Sequence, residues 1–383
     1  MDPSNYVNAT NISNVIQELE ALGPDLQVFL IILYSLTAVL ALGGNLTVIL
    51  VLIFGKKSSR DLRVFLINLA ASDITMATFS IPFTYTDFML GRWIFEPFFC
   101  PIVMFMQHCS VIVSVYTLTI IGLDRYYAIM YPLGFQWTKS RGLVIIAVIW
   151  TVASGISSVQ LVHGRAEVFY IQEQMFYDCN EVMDEFDSKV YTIVVFVVTF
   201  LLPLLVLTYT YATIGLKMWK HSVPGNAHDV RDHQQLQSKH KAIKMLAVVV
   251  LLFAVCWLPI HIFSMLIYFK EDFTIVQNEE EYFAFVAAFF CCHWLSMANS
   301  FVNPLVYCFM SENFRADLKQ LRFFCYSRRT KKATRLNFPL TCSRHSSSFR
   351  TTTDVIASTN QCKTNDPPPQ IGMKSFSNPL LPK

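Results

Sequence analysis

The chain has 383 residues, of which 54% are apolar and only 15% charged, against roughly 45–50% and 25% in soluble globular domains. The net charge of +3 selects no class, but the composition excludes disordered, collagenous and disulfide-scaffold chains, and the clustering of the apolar residues excludes a soluble fold.

Residues 1–26 are polar and acidic, without the basic start and apolar run of a cleavable signal peptide. Seven stretches follow with at most one Asp, Glu, Lys or Arg each: 28–54, 64–86, 98–123, 143–162, 190–216, 245–269 and 283–310. Each, as a helix rising 1.5 Å per residue, is long enough for a hydrocarbon core about 30 Å thick. None has the ten-residue alternation of a barrel strand. The expected fold class is therefore all-α, a seven-transmembrane helix bundle, with short connections except at 163–189 and 217–244. After span seven, Phe314, Leu318, Leu321 and Phe324 recur at helical spacing with Arg315, Lys319 and Arg322 on other faces. That pattern predicts a short amphipathic helix over 311–325 on the inner membrane surface. Residues 326–383 are rich in Ser, Thr, Pro and basic residues, and are expected to be a disordered cytoplasmic tail.

Charge sets the orientation. The four segments on one side (1–26, 88–96, 163–189 and 270–282) carry four basic and 17 acidic residues, a net of −13. The other side carries Lys56, Lys57, Arg60, Lys139, Arg141, Lys217, Lys220, Arg231, Lys239, Lys241, Lys244 and the basic tail. Positive charge marks the cytoplasmic side, so the N-terminus is expected outside and the C-terminus inside. Asn8 and Asn11 are then glycosylation acceptors in the outer tail. Cys325, at the end of the surface helix, is either a palmitoylation site or a free thiol. Of the ten cysteines, Cys100 and Cys179 alone fall on the oxidising outer side, which predicts a disulfide tying the acidic loop over the bundle.

Ionisable groups inside a membrane are costly and usually functional. Asp73 is the single acid within the seven stretches. Asn45, Ser114, Asn299, Ser300 and Asn303 are candidates to surround it, as a site for a hydrated Na⁺ or as a hydrogen-bond cluster around a protonated carboxyl. Asp124-Arg125-Tyr126 closes span three, Cys256-Trp257-Leu258-Pro259 lies in span six and Asn303-Pro304-Leu305-Val306-Tyr307 in span seven. With Asn45, Asn68-Leu69-Ala70-Ala71-Ser72-Asp73, Trp150 and Pro203 they stand in one fixed order.

On these motifs the chain resembles the rhodopsin-like G-protein-coupled receptors over about residues 27–325. No metal cluster, nucleophile dyad or phosphate loop appears in the sequence, so no catalytic residue and no enzyme activity are expected. The resemblance implies instead an activation switch, in which Asp124, Arg125, Tyr126, Tyr211, Asn303, Pro304 and Tyr307 exchange packed for G-protein-engaging arrangements about a hinge at Trp257 and Pro259. Its sodium pocket matches Asp73, Ser114, Asn299, Ser300 and Asn303. Lys239 stands where some members place an acid to hold Arg125. Span seven has no Lys for a retinal Schiff base, and Gln107 occupies the place of the amine-binding acid. Gly91-Arg92-Trp93-Ile94-Phe95, the run from Asp124 to Leu133, and Glu312-Asn313-Phe314-Arg315 resemble the neuropeptide branch, near the tachykinin and neuropeptide Y receptors. Gln107, His108, His261 and His293 are then candidate ligand contacts, the two last either facing the cavity or packed. The implied partners are an extracellular peptide, a heterotrimeric G protein, membrane lipid, and kinases and arrestin on the Ser/Thr-rich tail; nucleic acid is not among them. An outer charge of −13 either steers a cationic ligand or keeps the face solvated. A transporter or channel would require ion-binding groups on several spans, beyond Asp73.

Overall fold

A computed structural model describes residues 22–55, 60–131, 139–171, 173–220, 230–275 and 278–321. The chain divides into two units, Met1–Lys331 and Lys332–Lys383, and every described residue belongs to the first. Asn8, Asn11, Cys325 and the tail lie outside the described residues, as does the side chain of Lys239.

Seven helical segments are long and apolar enough to cross a membrane: Asp25–Phe54, Leu62–Leu90, Phe99–Met130, Ser140–His163, Glu185–Lys217, Ile243–Phe269 and Glu280–Met310. Most agree with the apolar stretches within a few residues. Span three runs seven residues further than its apolar stretch, because Asp124 and Arg125 end the hydrocarbon-compatible run without ending the helix. The inner connection 217–244 is partly helical too: span six belongs to a helix Val230–Phe269. Its first turns, rich in Gln, Lys and His, are helix-compatible but carry no apolar period to announce them.

The prolines act differently in each span. Span two is two helices, Arg60–Phe79 and Ile81–Leu90, with Pro82 in the first turn of the second, where its missing N–H costs least. Gly91 ends that helix at φ 61°, a left-handed position that disfavours side chains. Span five has a wider π-turn, Val197–Leu201, just before Pro203. Spans six and seven continue as single helices through Pro259 and Pro304.

Polar side chains tie the spans together inside the bundle. Asn45 donates to the carbonyls of Ala41 (2.9 Å) and Ser300 (2.7 Å), joining spans one and seven. Asn68 donates to Thr117 Oγ1 (2.8 Å) and accepts from Trp150 Nε1 (2.9 Å), joining two, three and four. Tyr34, Met76, Phe290 and Met297 pack between spans one, two and seven, and Phe200, Val249 and Phe253 between five and six. After Ser311, residues 312–321 form the short helix. Its Phe314, Leu318 and Leu321 pack on Val48, Val51, Leu52 and Tyr307, so this apolar face meets the bundle.

The outer loop 163–189 holds an antiparallel hairpin that the sequence reading did not anticipate: β1 (Gly164–Ile171) and β2 (Gln174–Glu181). Its turn lacks the Asn-Gly or Asp-Gly pair that usually signals a two-residue hairpin. Glu173 takes the left-handed conformation there, at φ 66°. Cys179 on β2 is joined to Cys100 at the outer end of span three. Trp93 N–H donates to the Tyr177 carbonyl (2.7 Å), a second tie between the hairpin and the bundle.

Candidate functional site

Beneath the hairpin the bundle opens into a cavity with two adjoining lobes that share Gln107, His108, Glu181 and Tyr268. One lobe, about 550 Å³, lies toward span two and the hairpin and is bordered by Thr84, Asp87, Trp93, Glu167 and Asn180. The other, about 240 Å³, reaches down between spans three, five and six to Tyr191, Thr199, Trp257 and His261. Together they have the size of a ligand site, and the larger lobe is lined about equally by polar and apolar groups.

Three of the four candidate ligand contacts lie on this cavity. Gln107 Oε1 accepts from Thr84 Oγ1 (3.1 Å), and His108 Nδ1 lies 2.9 Å from the Met104 carbonyl. His261 sits among Phe196, Phe200 and Trp257, with Nε2 3.5 Å from Thr199 Oγ1. His293 does not face the cavity. It is 4% exposed, with Nδ1 2.9 Å from the Tyr34 hydroxyl and its ring stacked on Phe289 at 5.6 Å. The sequence leaves His293 either facing the cavity or packed, and the aromatic cluster with Tyr34 on span one holds it packed.

The sequence reading missed the carboxylate of Asp87. Counted neither with span two nor with the outer loop, it is in fact within the helix of span two, 9% exposed, on the wall of the larger lobe. Glu181 was counted only as loop charge. Its Oε1 accepts from Gln160 Nε2, which also donates to the Tyr191 hydroxyl (2.8 Å).

Deeper in the bundle, Asp73 is 2% exposed and accepts from two neutral donors: Ser114 Oγ at 3.4 Å to Oδ1 and Asn303 Nδ2 at 3.0 Å to Oδ2. Asn299 and Ser300 border the same small cavity, of about 10 Å³, with Ser110 and Phe253. Asn45, grouped with them from the sequence, spends its amide on backbone carbonyls instead. The volume holds about one water-sized particle, too little for an ion with a full hydration shell. Trp257 and Val111 border both this cavity and the outer one, so one layer of side chains separates the two sites. Among the described residues no cluster of three His, Cys, Asp or Glu could hold a metal ion.

At the inner end of span three, Arg125 donates through Nε (2.9 Å) and Nη2 to Asp124 Oδ2. Lys217 Nζ donates to the carbonyls of Ile129 (3.0 Å) and Met130 (3.2 Å), satisfying the last carbonyls of that helix. Tyr126 is 6.3 Å from Tyr209, ring to ring, and Tyr211 packs against Phe65, Ile121 and Leu246. Trp257 Nε1 and the Tyr307 hydroxyl are buried without hydrogen-bond partners. Between span six and the short inner helix, Lys241 Nζ pairs with Glu312 Oε1 at 2.7 Å.

Comparison with known proteins agrees with this geometry. The pattern of the 7 transmembrane receptor (rhodopsin family) matches residues 44–307. The substance-P receptor of Homo sapiens is 31% identical over 286 residues, 75% of this chain and 69% of that protein. The QRFP-like peptide receptor of Branchiostoma floridae is 34% identical over 299 residues, 77% of each chain. The substance-P receptor of Aquarana catesbeiana is 31% identical over 326 residues, 84% of this chain and 76% of its own. The chain is a non-enzymatic, multi-pass membrane protein and belongs to the rhodopsin family of seven-transmembrane receptors.

Proposed function

We propose that this protein is a plasma-membrane receptor for a cationic neuropeptide, with its N-terminus outside and its C-terminus inside, that passes ligand binding to a heterotrimeric G protein. The observation that carries the reading is the two-lobed cavity under a disulfide-tethered acidic hairpin, in a chain whose relatives include the substance-P and QRFP-like peptide receptors. The outer lobe of about 550 Å³ suits a peptide end, and the outer charge of −13 suits a basic one. A peptide in the deeper lobe presses on Trp257 and His261 and favours the arrangement in which span six swings out at its inner end. Binding thereby shifts an equilibrium between two pre-existing packings. Trp257 Nε1 and the Tyr307 hydroxyl, unpartnered here, would gain partners in the second packing.

Asp73 with Ser114, Asn299, Ser300 and Asn303 offers a carboxylate, hydroxyls and amide oxygens, the donors a Na⁺ takes. The ion would supply a positive charge to the buried carboxylate and hold the unliganded packing. Glycans on Asn8 and Asn11, palmitate on Cys325, and kinases and arrestin at the Ser/Thr-rich tail complete the proposal. The test is nucleotide exchange on added G protein, driven by a peptide library. Exchange above the basal rate by basic peptides is the expected result; silence to every peptide, or activation by acidic peptides or lipid, would refute the reading.

A further inference from the structure

Asp87 is buried in the outer cavity wall, and its Oδ1 has no hydrogen-bond partner. Leaving a buried carboxylate oxygen unpaired is expensive, so such groups ordinarily meet a partner. Among the described residues no basic side chain supplies one. Arg92, five residues on, lies over the Phe176 ring at 5.7 Å, and Arg165 forms no ion pair. A second, independent feature faces the same space. Glu167 on β1 stands directly across from Asp178 on β2, and like charges placed so repel. Both share the strand face of Asn180, and Glu167 and Asn180 border the lobe that Asp87 borders.

Resting on the reading that the ligand is a peptide, we propose that Asp87, with Glu167 across the lobe, takes the guanidinium of one arginine of that peptide. A bare divalent ion suits the lobe poorly, since among the described residues no group of three His, Cys, Asp or Glu could hold one. A guanidinium suits it better, because its planar fork pairs with a carboxylate. The site differs from the general acidity of the outer face. Steering acts on encounter, whereas a buried pair acts on residence.

The test has two arms, both on the full chain at the cell surface. First, Thr84→Cys places a thiol on the lobe one turn from Asp87. Its rates of labelling by cationic and anionic methanethiosulfonates are compared with and without Asp87→Asn, with the parent chain as background. The cation-to-anion rate ratio is expected to fall about tenfold on neutralising Asp87; an unchanged ratio overturns the site. Second, nucleotide exchange is driven by an arginine-containing peptide library and by the same library with citrulline. Asp87→Asn is expected to reduce the arginine preference by roughly tenfold or more, and Asp87→Glu to keep most of it. A receptor that answers peptides but keeps its full arginine preference in Asp87→Asn overturns the subsite and leaves the peptide reading standing. Silence to both libraries, with the labelling ratio falling as expected, removes the peptide reading and leaves a cation-attracting site.

Discussion

Span two carries two aspartates, Asp73 and Asp87, fourteen residues apart and so on roughly the same helical face. Asp73 has both oxygens bonded by neighbours and room beside it for about one water. Asp87, about 21 Å further out at 1.5 Å per residue, has an oxygen without a partner and borders about 550 Å³ of open cavity. The same side chain on the same span is thus closed at one depth and open at the other. Chemistry alone does not decide whether an intramembrane acid belongs to the scaffold or the ligand site; its neighbours on spans three and seven and on the hairpin do. Trp257 touches both cavities and is where the two can exchange information.

The comparison can be broken most severely at its outer half. Cys100→Ser or Cys179→Ser removes the tether of the cavity roof, worth about 2–5 kcal/mol in small disulfide-dependent domains. Loss of peptide binding or of surface delivery is expected, scored by antibody staining of intact cells beside a binding isotherm. Full binding by both variants would detach the hairpin from the site. At the inner half, Asp73→Asn keeps the shape, exchanges one acceptor oxygen for an amide donor and removes the carboxylate bordering the small cavity. Agonist affinity measured in NaCl against KCl should lose its sodium dependence, while Asp73→Leu, stranding Asn303 and Ser114, should cost roughly 1–3 kcal/mol of thermal stability as well. Sodium dependence that survives in Asp73→Asn would make Asp73 purely structural.

Smaller effects belong to exposed charge. Neutralising the exposed Glu280 and Glu281 together should slow peptide association about threefold to tenfold and leave dissociation unchanged, because exposed charges act on encounter and are screened within about 8 Å. Stopped-flow binding at two salt concentrations separates the rates. Smallest is the pair between Lys241 and Glu312, fully exposed and linking span six to the inner helix. Lys241 holds the Glu312 carboxyl below its usual 4.5. Its contribution is therefore complete above the free value and lost only as pH falls through the lowered one. Basal exchange in Lys241→Ala should differ slightly from wild type at pH 7 and converge with it in acid.

Much of this molecule was legible in the residues. Seven apolar runs of membrane length required seven helices, and two cysteines on the outer side required each other. The less legible parts share a cause. The hairpin hides because Glu173 fills a left-handed turn position without the glycine that would announce it. The inner extension of span six hides because a polar helix has no apolar period. Asp87 escaped because it stands between the apolar run 64–86 and the loop 88–96, in neither count, although the helix continues to Leu90. The sequence leaves His293 either cavity-facing or packed, because the residue that decides it, Tyr34, lies on another span.

The central claim is that occupancy of the outer cavity changes the inner face through Trp257. The most direct measurement pairs peptide occupancy with nucleotide exchange on a G protein added to the reconstituted receptor, in wild type and in Trp257→Leu. In wild type the two curves should rise together. In Trp257→Leu occupancy should stay within about threefold while exchange falls by about tenfold or more, as expected when a ligand no longer distinguishes the two packings. Exchange that proceeds unaltered in Trp257→Leu, or that rises without peptide occupancy, would contradict the account.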